Sequence, residues 1–143
     1  MSNQFLQLIE KRRSIYAIGK NVEQTPTYLT DLIQNAIKQS PSSFNSQSSR
    51  AVILFNAEHE KFWDLVKAQL KAYAKDAESA AKTDAKIDSF AAGLGTVLFF
   101  EDQEVVAGLQ ANFPSYADNF PIWSEHSTAI AQFATWTALS IEG

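Results

Sequence analysis

Cysteine is absent from the 143 residues. That excludes a disulfide framework, a thiolate metal site and a cysteine nucleophile. Histidine is scarce, with only His59 and His126. A two-histidine metal centre would need a carboxylate helper and a fold that joins distant segments, so no metal ligands are assigned. No apolar run approaches the roughly 18 residues of a membrane span, and no bilayer crossing is expected. The start, Met1-Ser2-Asn3-Gln4-Phe5, lacks the basic-then-apolar layout of an export signal. Together with the missing cysteines, this fits a cytoplasmic protein. Excess positive charge is lacking too: the formal net charge is −4 and the isoelectric point is near 5.1. Nonspecific nucleic-acid binding needs clustered cations, so no nucleic-acid partner is expected.

What is present is average for one soluble globular domain spanning 1–143, with 45% hydrophobic and 20% charged residues. The 10 Phe, 4 Tyr and 3 Trp suffice for a flat ligand or a sizeable interface. Phe5, Leu8 and Ile9 keep helical spacing and lead into Lys11-Arg12-Arg13-Ser14. A second helix, with Thr27 as candidate N-cap, carries Leu29, Leu32, Ile33, Ala36 and Ile37 and stops at Ser40-Pro41. After the polar loop Pro41 to Arg50, Ala51-Val52-Ile53-Leu54-Phe55 reads as a buried strand. A third helix covers about Glu58 to Ala74. Residues 75–92 carry little signal and read as its extension or as an excursion. Thr96 to Phe100 is a second strand. Glu101-Asp102 then caps a helix through Val105, Val106, Leu109 and Phe113. Ser124 is the candidate N-cap of a last helix through Ile130, Phe133, Thr137 and Ile141. The order ααβαβαα predicts a sheet with helices on its faces, in a mixed α+β or α/β arrangement.

Two segments could carry chemistry. Arg12, Arg13 and Ser14 end a helix, where cations complement the dipole; the same groups can also hold a phosphate. The loop from Pro41 to Arg50 leads into a buried strand, and loops held by a rigid sheet are typical binding sites. Its Asn45 and Gln47 side chains both donate and accept, which suits a ligand edge of alternating C=O and N–H groups. His126 reads as a surface residue, and Trp63 as core or contact. The pair Gly93-Leu94-Gly95 is no dinucleotide fingerprint: it lacks a third glycine and precedes a strand.

The elements Arg12-Arg13-Ser14-Ile15-Tyr16 and Pro41-Ser42-Ser43-Phe44-Asn45-Ser46-Gln47 together resemble the FMN-dependent nitroreductase family. The nearest branch is that of the fatty-acid-repression-mutant-like nitroreductases. Residues Gly95 to Asp102 and Gln132 to Leu139 are similar to that branch as well. The resemblance implies an α+β nitroreductase-like fold, a mixed central sheet and a homodimer with FMN at its interface. It implies that Arg12, Arg13 and Ser14 hold the FMN phosphate and ribityl chain, with Tyr16 where many members have a basic residue. It implies that Pro41, Ser42, Ser43, Asn45 and Gln47 lie along the flavin ring. The expected activity is ping-pong electron transfer from NADH or NADPH to nitroaromatic or quinone acceptors. No catalytic side chain is assigned, because the cofactor carries the chemistry. Family chains run on past Gly143, so the chain is expected to lack a C-terminal part. The alternative is a non-catalytic regulator of lipid or fatty-acid signalling on the same fold.

Overall fold

Short polar side chains and prolines set most of the helix starts. In the computed structural model, which describes residues 3–143, Asn3 caps helix α1 (Gln4–Lys11) by accepting from the Phe5 amide at 2.8 Å. Helix α2 (Pro26–Gln39) is capped by Thr25 through the Tyr28 amide, two residues earlier than the expected Thr27. Pro26 explains the shift, since a proline at the first helical position loses no needed N–H and arrives with helical φ. Ser40 closes α2 and donates its hydroxyl proton to Ala36 O.

Strands β1 (Ser49–Phe55) and β2 (Gly95–Glu101) form a two-stranded sheet among the described residues. Asp102 N donates to Ser48 O at 2.9 Å near one end, and Leu54 O lies beside Gly95 near the other. The strands therefore run antiparallel. A Cβ on Gly95 would fall 2.7 Å from Leu54 O, so the close approach itself requires glycine.

The residues group into two compact units. The first holds the chain up to Arg13, Gln24–Val52 and Leu98–Gly143. Here α6 (Phe120–Ile141) packs against α2, α5 (Gln103–Asn112) and α1. The apolar core is Leu29, Ile33, Val106, Phe120 and Ala131. Burying such side chains is worth about 1.5–3 kcal/mol each. The inward face of α6 is otherwise small and hydroxylic: Ser124, Ser127, Thr128 and Thr135 recur at helical spacing and are all buried. Ser124, expected as the N-cap, sits one turn inside this helix and bonds back to Pro121 O. The helix begins earlier because Pro121 falls in its first turn, where proline is tolerated.

The second unit holds Ser14–Glu23 and Ile53–Val97. Helix α3 (Asn56–Leu70) ends in a 3-10 turn at Lys71–Tyr73 and packs against α4 (Ala77–Ala91). The low-signal stretch is thus a helix of its own. Asp76 accepts from Ser79 N while Ser79 Oγ receives the Asp76 amide, a reciprocal cap that stops α3 from continuing. His59 is fully buried. Trp63 Nε1 donates to Thr96 Oγ1 at 3.0 Å, and Thr96 Oγ1 lies 2.8 Å from His59 Nδ1. His59 Nε2 lies 3.0 Å from Ala91 O. A carbonyl can only accept, so the imidazole carries its proton on Nε2 and Thr96 donates to Nδ1. Every polar group in this chain of bonds is matched.

Candidate functional site

The loop after α2 adopts a backbone that its residues would not choose alone. Phe44, Asn45 and Gln47 have φ of 55°, 50° and 49°, all in the left-handed region. Asparagine tolerates that region; for a bulky residue such as Phe44 it costs energy. The compensation is aromatic. The Phe44 ring meets Phe113, Phe120, Tyr116 and Trp123 at centroid distances of 5.1–5.7 Å. Such pairs contribute about 0.5–1.5 kcal/mol each beyond area burial. Polar ties complete the hold. Gln47 N donates to Ser42 Oγ at 3.0 Å, Ser43 N donates to Ser127 Oγ at 3.1 Å, and Arg50 Nη1 donates to Gln47 O at 2.8 Å. Arg50 is itself anchored to Asp102 at 2.8 Å.

The held loop walls a cavity of about 260 Å³ together with the end of α2 and the middle of α6. Pro41, Ser42, Asn45 and Gln47, four of the residues singled out in the sequence, line it. Lys38, Ser40, Ser49 and Ser127 line it too, and sequence reasoning missed these four. The signal for Ser127 was available in the run of small hydroxyl residues on one face of α6. Ser43 turns its amide toward Ser127 and is not among the lining residues.

Counting protons shows what the cavity offers. Ser40 donates to Ala36 O and Ser127 donates to Trp123 O, so both present only lone pairs. Ser42 Oγ accepts from Gln47 N and keeps its proton. Gln47 Nε2 donates to Asn45 Oδ1 at 3.1 Å, which leaves Asn45 Nδ2 to donate and Gln47 Oε1 to accept. Exchanging O and N in both amides would still leave one donor and one acceptor. Lys38 Nζ has no partner among the described residues. The cavity therefore combines a cation, hydroxyl and amide donors, and several acceptors on one small surface.

The second sequence element is placed differently. Arg12 is the C-cap of α1, and its guanidinium carbon lies 4.0 Å from the Trp136 ring centroid and 5.8 Å from that of Phe133. Its Nε is buried without a hydrogen-bond partner. Stacking on Trp136 uses the face of the guanidinium and leaves its N–H edge uncommitted. Arg13 is exposed, and neither guanidinium has an ion-pair partner among the described residues. Arg12 and Arg13 do not line the cavity. Trp136 stands nine residues beyond Ser127, roughly 13 Å farther along α6. Ser14 and Tyr16 are exposed in the segment after Arg13. His126 is exposed as well. No helix among the described residues is long and apolar enough to cross a membrane.

The expected cap at Glu101-Asp102 divides into two roles. Asp102 caps α5 through Glu104 N and Val105 N. Glu101 turns inward and accepts from the hydroxyls of Ser48, Ser49 and Thr128.

Comparison with known proteins follows the same lines. The sequence model of the Nitroreductase family matches residues 9–143. HBN1 of Saccharomyces cerevisiae is 36% identical over 141 residues, and nitroreductase FRM2 of the same yeast is 33% identical over 143. Each alignment covers 97% of this chain and 69% of the relative. Among solved structures, nitroreductase CinD from Lactococcus lactis in complex with chloramphenicol superposes with a TM-score of 0.84 at 45% identity. That match covers 96% of this chain and 69% of CinD.

Proposed function

Because the chain belongs to the nitroreductase family, a family of flavin-dependent oxidoreductases, we propose that it works as an FMN-bound NAD(P)H nitroreductase in a homodimer. The observation that carries this reading is the cavity beside Pro41, Ser42, Asn45 and Gln47, with its mixture of donors and acceptors and the single cation Lys38. That set suits the pyrimidine edge of a flavin, where carbonyls alternate with an N–H. The uncommitted N–H groups of Arg12, one of them buried and unpartnered, suit an anion such as the FMN phosphate. Arg13 follows directly in the chain and extends that anion-binding element.

The chemistry that FMN supplies when bound is two-electron transfer, from NADH or NADPH and then to a nitroaromatic or quinone in a ping-pong cycle. The protein's own part is binding and electrostatics. Asn45 and Gln47 orient the ring edge, Lys38 and Ser42 place donors beside it, and the aromatic buttress under Phe44 keeps the loop from relaxing. No side chain need act as acid, base or nucleophile. CinD is solved with 4-nitrophenol and with chloramphenicol, which supports a nitroaromatic as the acceptor class here.

The test is direct. Purified protein should show a flavin absorption spectrum, release FMN on denaturation, and oxidise NADH or NADPH when a quinone or 4-nitrophenol is supplied. Arg13→Ala should weaken FMN roughly tenfold or more while leaving riboflavin, which lacks the phosphate, unchanged. Colourless protein that takes up no added FMN would overturn the reading.

A further inference from the structure

The proton count closes on one residue outside the motifs. Ser49 lines the cavity, and its Oγ lies 2.8 Å from Glu101 Oε1 and 2.9 Å from Thr128 Oγ1. Thr128 Oγ1 also donates to Glu101 Oε1, and Ser48 Oγ donates to Glu101 Oε2. Ser48 and Thr128 are buried, at 0% and 5% exposure. Glu101 has no ion-pair partner among the described residues. The carboxylate is therefore solvated by three hydroxyls instead of a cation.

A carboxylate can only accept. Ser49 and Thr128 can each donate to Glu101, or one can donate to the other and be passed on. In every arrangement the Ser49 proton stays inside the cluster, and at least one lone pair of Ser49 remains for the cavity. We propose that Glu101 is a positioning residue that fixes Ser49 as a hydrogen-bond acceptor, so that the site selects a ligand edge bearing an N–H. On the functional reading above, on which this inference rests, the group selected is the imide N3–H of the flavin.

Leucine at position 101 would break this logic with little change of size. It accepts no hydrogen bond, so every hydroxyl of the cluster must find another acceptor. Ser48 Oγ lies 3.3 Å from Ser46 Oγ and can donate there. Thr128 is enclosed and keeps Ser49 Oγ as its partner, so the Ser49 proton turns to the cavity. Glu101→Leu thus converts Ser49 from acceptor to donor and sets it against the N–H.

The experiment uses 15N-labelled FMN and the purified chain, with Kd from flavin fluorescence and the N3–H resonance from NMR. Ser49→Ala and Glu101→Leu should each weaken FMN roughly tenfold and move the N3–H signal toward its position in free FMN. The double variant should bind no more weakly than Ser49→Ala alone, because Glu101 acts through Ser49. Circular dichroism checks folding, and Ser49→Ala carries the test if Glu101→Leu does not fold. Wild-type Kd and an unmoved N3–H signal in folded Ser49→Ala would overturn the assignment while FMN binding itself stands. Additive losses in the double variant would also overturn it. A wild-type protein that binds no FMN would overturn the functional reading itself, and this assignment with it.

Discussion

Two polar clusters in this protein are built from the same kinds of side chain and end differently. In the second unit, Trp63, Thr96, His59 and Ala91 form a run of hydrogen bonds in which each donor meets an acceptor. In the first unit, the cluster around Ser42, Asn45, Gln47 and Ser49 also ties itself together, yet it leaves donors and acceptors pointing into a cavity. A closed cluster serves the fold, since nothing is left for a ligand to meet. An open one holds unmet capacity in a fixed geometry, which is what recognition needs.

The contrast can be broken from either side. Thr96→Val should have the largest effect. It strands the Trp63 indole N–H and the fully buried His59 Nδ1, at a cost of about 2–4 kcal/mol in chemical denaturation, while FMN Kd stays within about twofold. A variant that lost FMN affinity more than stability would erase the distinction. Gly95→Ala comes next. The new methyl would press on Leu54 O, costing about 1–3 kcal/mol as a shift in denaturation midpoint. Asn45→Gly should behave in the opposite sense. FMN affinity should drop roughly tenfold with stability nearly unchanged, because glycine accepts the φ of 50° at this position and the amide that is lost faces the cavity and not the core. Wild-type FMN affinity and reduction kinetics in that variant would count against the loop as the flavin site.

The smallest expected effect is one of pH. Ser79 N donating to the Asp76 carboxylate, joined by the Ser79 hydroxyl, holds Asp76 below the ordinary aspartate value of 3.8. Its contribution to α4 is therefore complete above that value and is lost as pH falls through the lowered one. Amide exchange in the first turn of α4 should rise there, before the rest of the chain responds.

The sequence made much of this legible where periodicity was strong. Helices α2, α5 and α6 and both strands carry regular apolar spacing, and the loop between α2 and β1 stood out by composition. Helix α4 did not, because its inner face is mostly alanine and its one buried apolar residue is Ile87. Its only clear sign was the spacing of Asp76 and Ser79. Within the site, Asn45 and Gln47 were readable because their amides sit in a loop of unusual composition. Ser127, Ser49 and Glu101 were not, since a serine on a helix or a glutamate at a strand end is common. Which way each turns depends on partners about 27 to 84 residues away. Arg12 was legible as a cation at a helix end, but its seat on Trp136 required the packing of α1 against α6.

The left-handed run at Phe44, Asn45 and Gln47 has a practical consequence for anyone who would copy this site. A linear peptide with the same letters would relax into ordinary right-handed or extended conformers, because the rings that restrain Phe44 come from a distant stretch of the chain. A faithful mimic would have to be cyclised, with glycine or a mirror-image amino acid in place of Phe44 to supply by stereochemistry what the protein supplies by aromatic packing.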